Sequence, residues 1–212
     1  MHITIFGATG LVGKRIVQQA LNKGFEVTAF GRNVVDLIDA DNRNEKLTAF
    51  KGYIFDAKDV YKAMENADAI ISVLGGAFDG SDRTRSLGMK NIIEQMQKKG
   101  LKRMVALGGM GILNATDGGL LIDDEDYPEQ YIAVGKEHQK AFELLQTSSL
   151  EWSFFCPPNI IDADETGLYI TSTNYPPEPN NYKINAGDLA LEMLAVASNN
   201  KFIHERVGIS NI

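Results

Sequence analysis

The sequence is poor in the residues that build disulfides and metal sites. A single cysteine, Cys156, cannot form a disulfide within the chain, and this is compatible with a reducing compartment. The three histidines, His2, His138 and His204, lack metal-ligand spacing, so no metal is expected. No apolar run is long enough to span a bilayer, and the apolar residues 1–6 are too short for a signal peptide. We therefore expect a cytoplasmic protein that has no membrane partner.

Positive charge is also in deficit. The chain has 21 Lys and Arg against 28 Asp and Glu, a formal net charge of −7. This balance disfavours nucleic acid as the main partner, because phosphate backbones need clustered cations, but it allows a local basic spot for one small phosphate. The 44 % of hydrophobic residues is typical of a globular chain, and 212 residues suit one domain, predicted over 1–212. A monomer and a homodimer both remain open.

What the sequence has is an alternation of short apolar runs with amphipathic stretches. Runs that are apolar on both faces indicate parallel strands covered by helices on both sides, and right-handed crossovers then lead to a doubly wound, Rossmann-type α/β fold. Predicted strands cover residues 2–6, 25–30, 47–53, 69–74, 102–107, 151–155 and 202–209. Predicted helices cover residues 10–23, 60–66, 83–98 (capped by Ser81), 130–147 and 186–198.

Two segments are less regular. Residues 108–127 hold five glycines and the acidic run 123–126, which predicts a long, partly mobile loop over the site with a solvated acidic face. In the segment from about 160 to 186, short runs at 167–173 and 182–184 predict a hairpin. This hairpin would form a small C-terminal extension on the substrate side of the fold.

The strongest motif is Gly7-Ala8-Thr9-Gly10-Leu11-Val12-Gly13, between the first predicted strand and helix. Gly7 permits a tight turn, Gly10 lets a pyrophosphate approach the backbone, and Gly13 lets the helix pack closely on the sheet. The helix N-terminus adds free N–H groups and a positive dipole end. The motif predicts dinucleotide binding. A purely structural turn, or a site for another phosphorylated ligand, is the alternative.

The end of the second predicted strand indicates which dinucleotide is bound. NAD enzymes usually carry Asp or Glu there for the ribose 2′-hydroxyl, but this chain reads Ala29-Phe30-Gly31-Arg32-Asn33. The planar donors of Arg32 suit a 2′-phosphate. NADP (NADPH) is therefore favoured over NAD, the alternative being that Arg32 is an ordinary surface residue.

These motifs resemble those of the atypical short-chain dehydrogenase/reductase superfamily. Within it, the chain resembles the small NAD(P)H-binding proteins grouped with the NmrA-like proteins and with flavin reductase/biliverdin-IX-beta reductase. The matching segments run in order along nearly the whole chain, namely residues 7–13, 31–33, Asp56, 67–75, 102–105, 150–158 and 186–190.

The resemblance implies a role for each matching residue. The pyrophosphate would be lined by the glycine motif, Gly7, Ala8, Thr9, Gly10, Leu11, Val12 and Gly13. The 2′-phosphate would be held by Arg32 and Asn33. The remaining cofactor contacts would be Asp56 and Ala57 beside the adenine, Leu74, Gly75 and Gly76 beneath the cofactor's middle, and Pro157, Pro158 and Asn159 near the nicotinamide through backbone groups.

The catalytic residues depart from the family pattern. Many short-chain dehydrogenases place Tyr four residues before Lys, and the lysine holds the nicotinamide ribose and lowers the tyrosine pKa. Lys136 stands where that lysine is expected, but Ile132 is four residues before it and Tyr131 five. The usual hydroxyl after the fifth strand is replaced by Gly108-Gly109. His138 is a candidate proton donor, or else a surface histidine.

Three functions are compatible with this sequence. The first is an NADPH-dependent reductase of a flavin, quinone or similar conjugated acceptor, which needs little acid–base help. The second is a non-catalytic, NmrA-like redox sensor that acts through a protein partner. A sugar-nucleotide epimerase or dehydratase ranks third, because those relatives usually carry a larger C-terminal substrate domain.

Overall fold

The computed structural model describes residues 1–34, 44–199 and 201–212, in which strands and helices alternate as the sequence predicts. The strands are β1 (His2–Phe6), β2 (Glu26–Gly31), β3 (Leu47–Lys51), β4 (Ala69–Ser72), β5 (Arg103–Leu107), β6 (Glu151–Cys156), β7 (Asn159–Ile161), β8 (Tyr169–Thr173), β9 (Lys183–Asn185) and β10 (Glu205–Asn211). The helices are α1 (Leu11–Asn22), α2 (Ala57–Ala63), α3 (Thr84–Lys99), α4 (Ile132–Gln146) and α5 (Ala186–Ala197).

The main sheet of the described residues has eight strands in the order β3-β2-β1-β4-β5-β6-β10-β8. All neighbouring strands from β3 to β10 are parallel, and only β8 runs antiparallel, against β10. The strand order reverses between β1 and β4, so the loops that follow these two strands part there and leave a crevice at the carboxyl edge. The predicted Rossmann-type α/β fold is confirmed.

Alternation along each strand divides the core into two layers. On β1, Ile3 and Ile5 pack with α1 and α5 on one face, whereas Phe6 packs with α2, α3 and α4 on the other. All three side chains are fully buried. Burial of each contributes about 1.5–3 kcal/mol, which explains why these strands are apolar on both faces.

Helix α2 begins at Ala57, three residues before its predicted start. The Asp56 carboxylate caps it by accepting hydrogen bonds from the backbone N–H groups of Lys58 (2.7 Å) and Asp59 (3.1 Å). A cap of this kind satisfies N–H donors that otherwise lack partners in the first turn. The predicted start at residue 60 follows the apolar pattern and overlooks this cap.

The predicted cap of α3 is wrong. The backbone N–H and hydroxyl of Ser81 both donate to the Asp79 carboxylate, within the preceding loop. The N-cap of α3 is Arg83, whose side chain makes no capping hydrogen bond, and the Asp82 carboxylate before it accepts from the Thr84 N–H at 2.7 Å. Hydrogen bonds from the side chain and then the backbone of Thr84 lower the pKa of Asp82. Serine and aspartate cap equally well, so composition alone does not distinguish the two positions.

The predicted hairpin in residues 160–186 is not formed. Strand β8 pairs antiparallel with β10, and β9 pairs parallel with β7. Strand β10 pairs with β6 along one edge, and its other edge is free to pair with β8. The β8–β10 pairing runs from Thr173 opposite Val207 to Tyr169 opposite Asn211. Two short apolar runs on either side of a turn are typical of a hairpin. The sequence pattern does not show that another strand, distant in the chain, is the better partner.

The predicted loop at 108–127 is packed onto the protein. It contains the short 3₁₀ helices Met110–Ile112 and Leu121–Asp123, and the side chains of Ile112 and Leu113 are fully buried. Arg206 donates one hydrogen bond to the Ile112 carbonyl oxygen at 2.6 Å. The acidic residues 123–126 are exposed, as predicted.

Candidate functional site

The segments that follow the parallel strands meet along one edge of the sheet. The glycine motif follows β1, Arg32 follows β2, Leu74 lies just beyond β4, and Gly108 follows β5. A Cβ on Gly7 would lie 2.5 Å from the Val73 carbonyl oxygen, so the segments after β1 and β4 are in direct contact. This edge is where open α/β sheets bind their ligands.

The glycine motif forms an open cradle at the start of α1. Gly7 has φ +86°, which favours glycine, and its carbonyl accepts from the Gly10 N–H at 3.0 Å to close the turn. A Cβ on Gly13 would overlap the Gly7 carbonyl oxygen, so α1 approaches β1 only because residue 13 has no side chain. At the N-cap, Gly10 supplies no side-chain acceptor for the first turn. These features fit a pyrophosphate bound by backbone N–H groups.

Arg32 lies next to this cradle. It directly follows Gly31, and a Cβ on Gly31 would be 3.5 Å from Cγ2 of Thr9 in the glycine motif. Arg32 and Asn33 are both exposed. The end of β2 and the glycine motif thus share a surface, as a dinucleotide's adenosine half and pyrophosphate require.

Two of the segments predicted to contact the cofactor, Asp56 and residues 157–159, also make hydrogen bonds that stabilise the fold. The Asp56 carboxylate is committed to capping α2, so its part beside an adenine would be one of position, shared with the exposed Ala57. After β6, the Pro157 carbonyl accepts from the Met110 N–H at 2.9 Å, and the Asn159 N–H donates to Tyr182 at 3.3 Å. These two backbone groups therefore hold loops together.

Sequence reasoning missed Arg85, a buried residue of α3. Its guanidinium donates to the carbonyl oxygens of Gly76 and Ala77, both at 3.0 Å, and so fixes the segment after β4. Burial lowers the pKa of Arg85, while the charges of Asp82 and Glu137 raise it. An arginine in the first turn of a helix looks like a surface residue, so the sequence held no signal for this contact.

His138 explains the missing hydroxyl after β5. A Cβ on Gly109 would lie 3.1 Å from Cδ2 and 3.5 Å from Nε2 of the His138 ring, so a side chain at 109 would crowd the imidazole. Its Nδ1 is buried and has no hydrogen-bond partner among the described residues. Burial, and then the charge of Arg85, lowers the pKa of His138 to about 3. The ring is neutral at pH 7.

Tyr131 and Lys136 do not form the family's pair. Tyr131 has helical backbone angles and directly precedes α4, so the five residues to Lys136 rotate the two side chains by about 140° relative to each other. Both side chains are exposed, Tyr131 by 44 %. The hydroxyl of Tyr127 lies beside the segment after β5, since a Cβ on Gly111 would be 2.5 Å from it. Burial raises the pKa of Tyr127.

Cys156 ends β6 and is fully buried. Burial raises the pKa of its thiol, which makes it a packing residue rather than a nucleophile. No group of three or more His, Cys, Asp or Glu side chains suited to a metal occurs in the described residues. In the same part of the chain, no helix is long and apolar enough to cross a membrane.

Fold and glycine cradle together define a dinucleotide-binding α/β protein. The sequence profile of the NAD(P)H-binding family matches residues 7–200, and the chain belongs to this family. The predicted resemblance to atypical short-chain dehydrogenases/reductases is therefore confirmed at the level of the family.

Individual relatives are more distant. The uncharacterized protein YwnB of Bacillus subtilis is 26 % identical over 174 residues, which cover 80 % of this chain and 78 % of YwnB. A candidate exported protein from Burkholderia pseudomallei is 28 % identical with a TM-score of 0.83, and the match covers 99 % of both chains. A candidate NADH-flavin reductase from Streptococcus pneumoniae is 24 % identical with a TM-score of 0.83 over the whole of both chains, which shows the fold alone.

Proposed function

We propose that this protein is an NADPH-dependent reductase of flavins, quinones or similar conjugated acceptors. The observation that carries the proposal is the contact between Gly109 and His138, because a hydroxyl side chain after β5, which carbonyl reduction uses, would have to displace the imidazole at position 109. Tyr131 directly precedes α4, and its side chain is rotated by about 140° from that of Lys136. A conjugated acceptor needs proximity and orientation more than a dedicated acid.

The cofactor would be held by three parts of the carboxyl edge. The backbone of residues 7–13 would bind the pyrophosphate, Arg32 with Asn33 the 2′-phosphate, and residues 74–76, fixed by Arg85, would lie beneath its middle. When bound, the nicotinamide supplies a hydride. The Streptococcus pneumoniae protein is named for NADH, but Arg32 leads us to favour NADPH for this chain.

His138 would serve as a neutral hydrogen-bond donor in this site. Its pKa of about 3 rules out a standing imidazolium at pH 7, so a ring N–H would stabilise charge that develops on the acceptor, while the proton itself comes from water. Lys136, on the exposed side of α4, would contribute to cofactor affinity, and Tyr131 would contact the acceptor.

The test is oxidation of NADPH, followed at 340 nm, with FMN, FAD, riboflavin and a short series of quinones as acceptors. Aldehydes and ketones serve as the matched negative set. We expect turnover with conjugated acceptors and none with simple carbonyls. Turnover confined to carbonyls, or no turnover with any acceptor by protein that binds NADPH, would contradict the proposal.

The separation of Tyr131 and Lys136 also favours a second function, a redox sensor that binds the dinucleotide without chemistry. In that case a protein partner would bind only one redox form of the complex. Pull-downs in the presence of NADP, NADPH or no nucleotide test this alternative. Equal recovery under all three conditions would exclude it.

A further inference from the structure

We propose that Lys51, the last residue of β3, is a second cation for the 2′-phosphate and works with Arg32 to set NADPH preference. The inference rests on the proposed NADPH-binding function and adds a residue that sequence motifs do not mark. It follows from strand register, because β2 and β3 run parallel with Gly31 directly opposite Lys51. Neighbouring strands lie about 4.8 Å apart, so Lys51 begins one strand spacing from the residue that precedes Arg32.

The face of the sheet from which Lys51 projects is determined by alternation. Phe50 stacks on Phe30 with ring centroids 5.8 Å apart, in the layer that contains α2. Ala49 packs instead in the layer that contains α1. Since successive side chains of a strand point to opposite faces, Lys51 shares the face of Ala49.

The glycine motif lies on that same face. A Cβ on Gly31 would lie 3.5 Å from Cγ2 of Thr9 and 3.7 Å from Cβ of the buried Val34, so Thr9 lies on the face of the sheet from which Lys51 projects. Lys51 is exposed, and its four-carbon stem gives the ammonium a wide reach. Lys51, Arg32 and Thr9 therefore border one small basic surface on a chain whose net charge is −7.

This surface has the chemistry of a phosphate monoester site. Arg32 presents a planar fork of donors, and Lys51 adds a point charge that binds phosphate oxygens from a second direction. A 2′-hydroxyl offers no charge for either cation. Lys51 would therefore act on the nucleotide that carries the 2′-phosphate and leave the other nearly unaffected.

The experiment is calorimetric titration with 2′,5′-ADP and 5′-AMP, which differ only in the 2′-phosphate. The variants are Lys51→Ala, Lys51→Gln, which keeps the stem, and Lys51→Arg, which keeps the charge. Lys62→Ala, on the exposed surface of α2, is the control for loss of one positive charge. We expect the Ala and Gln variants to bind 2′,5′-ADP about fivefold more weakly, with 5′-AMP affinity unchanged. The Arg variant and Lys62→Ala should bind both ligands like wild type.

The outcomes separate this inference from the proposed function. If wild type prefers 2′,5′-ADP and both uncharged variants keep that preference in full, the role of Lys51 is wrong while the NADPH assignment stands. If wild type binds the two nucleotides equally, the NADPH preference itself is wrong, and the inference falls with it. A fivefold loss that also appears in Lys62→Ala would reflect net charge alone and would overturn the role of Lys51.

Discussion

At the scale of single residues, the site depends on side chains that are missing. Gly7, Gly13 and Gly31 leave room for backbone and ligand at the carboxyl edge, and Gly109 leaves room for the His138 ring. At each of these glycines, a neighbouring residue lies in or next to the space that a side chain would fill. A substitution at such a position therefore changes two residues' environments at once.

We expect His138 to make the protein less stable in mild acid. Its folded-state pKa is about 3 against 6.5 for an ordinary histidine, so between these values the unfolded chain binds one more proton. Lowering the pH from 6.5 to 5 should then cost about 2 kcal/mol of unfolding free energy. Denaturant unfolding of wild type and His138→Gln at pH 7 and pH 5 measures this, and the variant should lose the acid-dependent part.

Nuclear magnetic resonance gives an independent reading of the same residue. The His138 ring signals, identified by their absence in His138→Gln, should not titrate between pH 8 and pH 5. A midpoint near 6.5 would mean that the imidazole is solvated, and it would remove the proposed neutral donor.

The sequence predicts some of these residues and not others, for a physical reason. The glycine motif and Arg32 are local signals, because a strand, a turn and a helix start lie within a few residues of one another. The pairing of Gly109 with His138 joins residues 29 positions apart, and the hydrogen bonds of Arg85 depend on how α3 sits against the loop after β4. No local pattern encodes such contacts.

At the scale of elements, the position of α1 depends on Gly13. We expect Gly13→Ala to push α1 away from β1, with a cost of about 1–3 kcal/mol and a large loss of dinucleotide affinity, because the added Cβ overlaps the Gly7 carbonyl. Thermal unfolding and calorimetric binding of NADPH measure the two effects.

Gly119→Ala is the matched control, since a Cβ there would meet nothing within 4 Å. It should leave both stability and affinity close to wild type. If Gly13→Ala bound NADPH as tightly as this control does, the cradle would not be the binding site.

Strands that are buried on both faces are predicted correctly from the sequence. The prediction fails for short strands that could pair with more than one partner. The buried strands of the parallel sheet are predicted because both faces are apolar. Strands β7, β8 and β9 are short and half exposed, so their partners are decided by the edges that β10 and the neighbouring loops offer. The hairpin prediction fails for this reason.

At the scale of the whole molecule, Asp188 connects three segments of the C-terminal part of the chain by hydrogen bonds. Its fully buried carboxylate accepts from the N–H groups of Thr166 (2.7 Å) and Gly167 (2.8 Å), from the Thr166 hydroxyl and from Asn211 (2.7 Å). Burial opposes ionisation, but these hydrogen bonds together lower the pKa of Asp188. The residue thus connects α5, β10 and the loop before β8.

Asp188→Asn should destabilise the protein by about 3 kcal/mol, because an amide N–H₂ would face donors in a buried site. Asp164→Asn, at an exposed carboxylate of the same segment, is the control. Because the folded-state pKa is lowered, the stabilisation is present above the unfolded pKa of about 3.9 and is lost as the pH falls through the lower folded value. Unfolding curves should therefore show the gap between wild type and Asp188→Asn closing below pH 4, and a gap that stays constant would contradict this account.

The central claim is that the carboxyl edge binds NADPH and reads its 2′-phosphate through Arg32. Calorimetric titration of wild type and Arg32→Ala with NADPH and with NADH tests it most directly. We predict that wild type binds NADPH at least about tenfold more tightly than NADH, and that Arg32→Ala weakens NADPH binding far more than NADH binding. Equal losses for the two nucleotides in Arg32→Ala, or no binding of either by wild type, would contradict the claim.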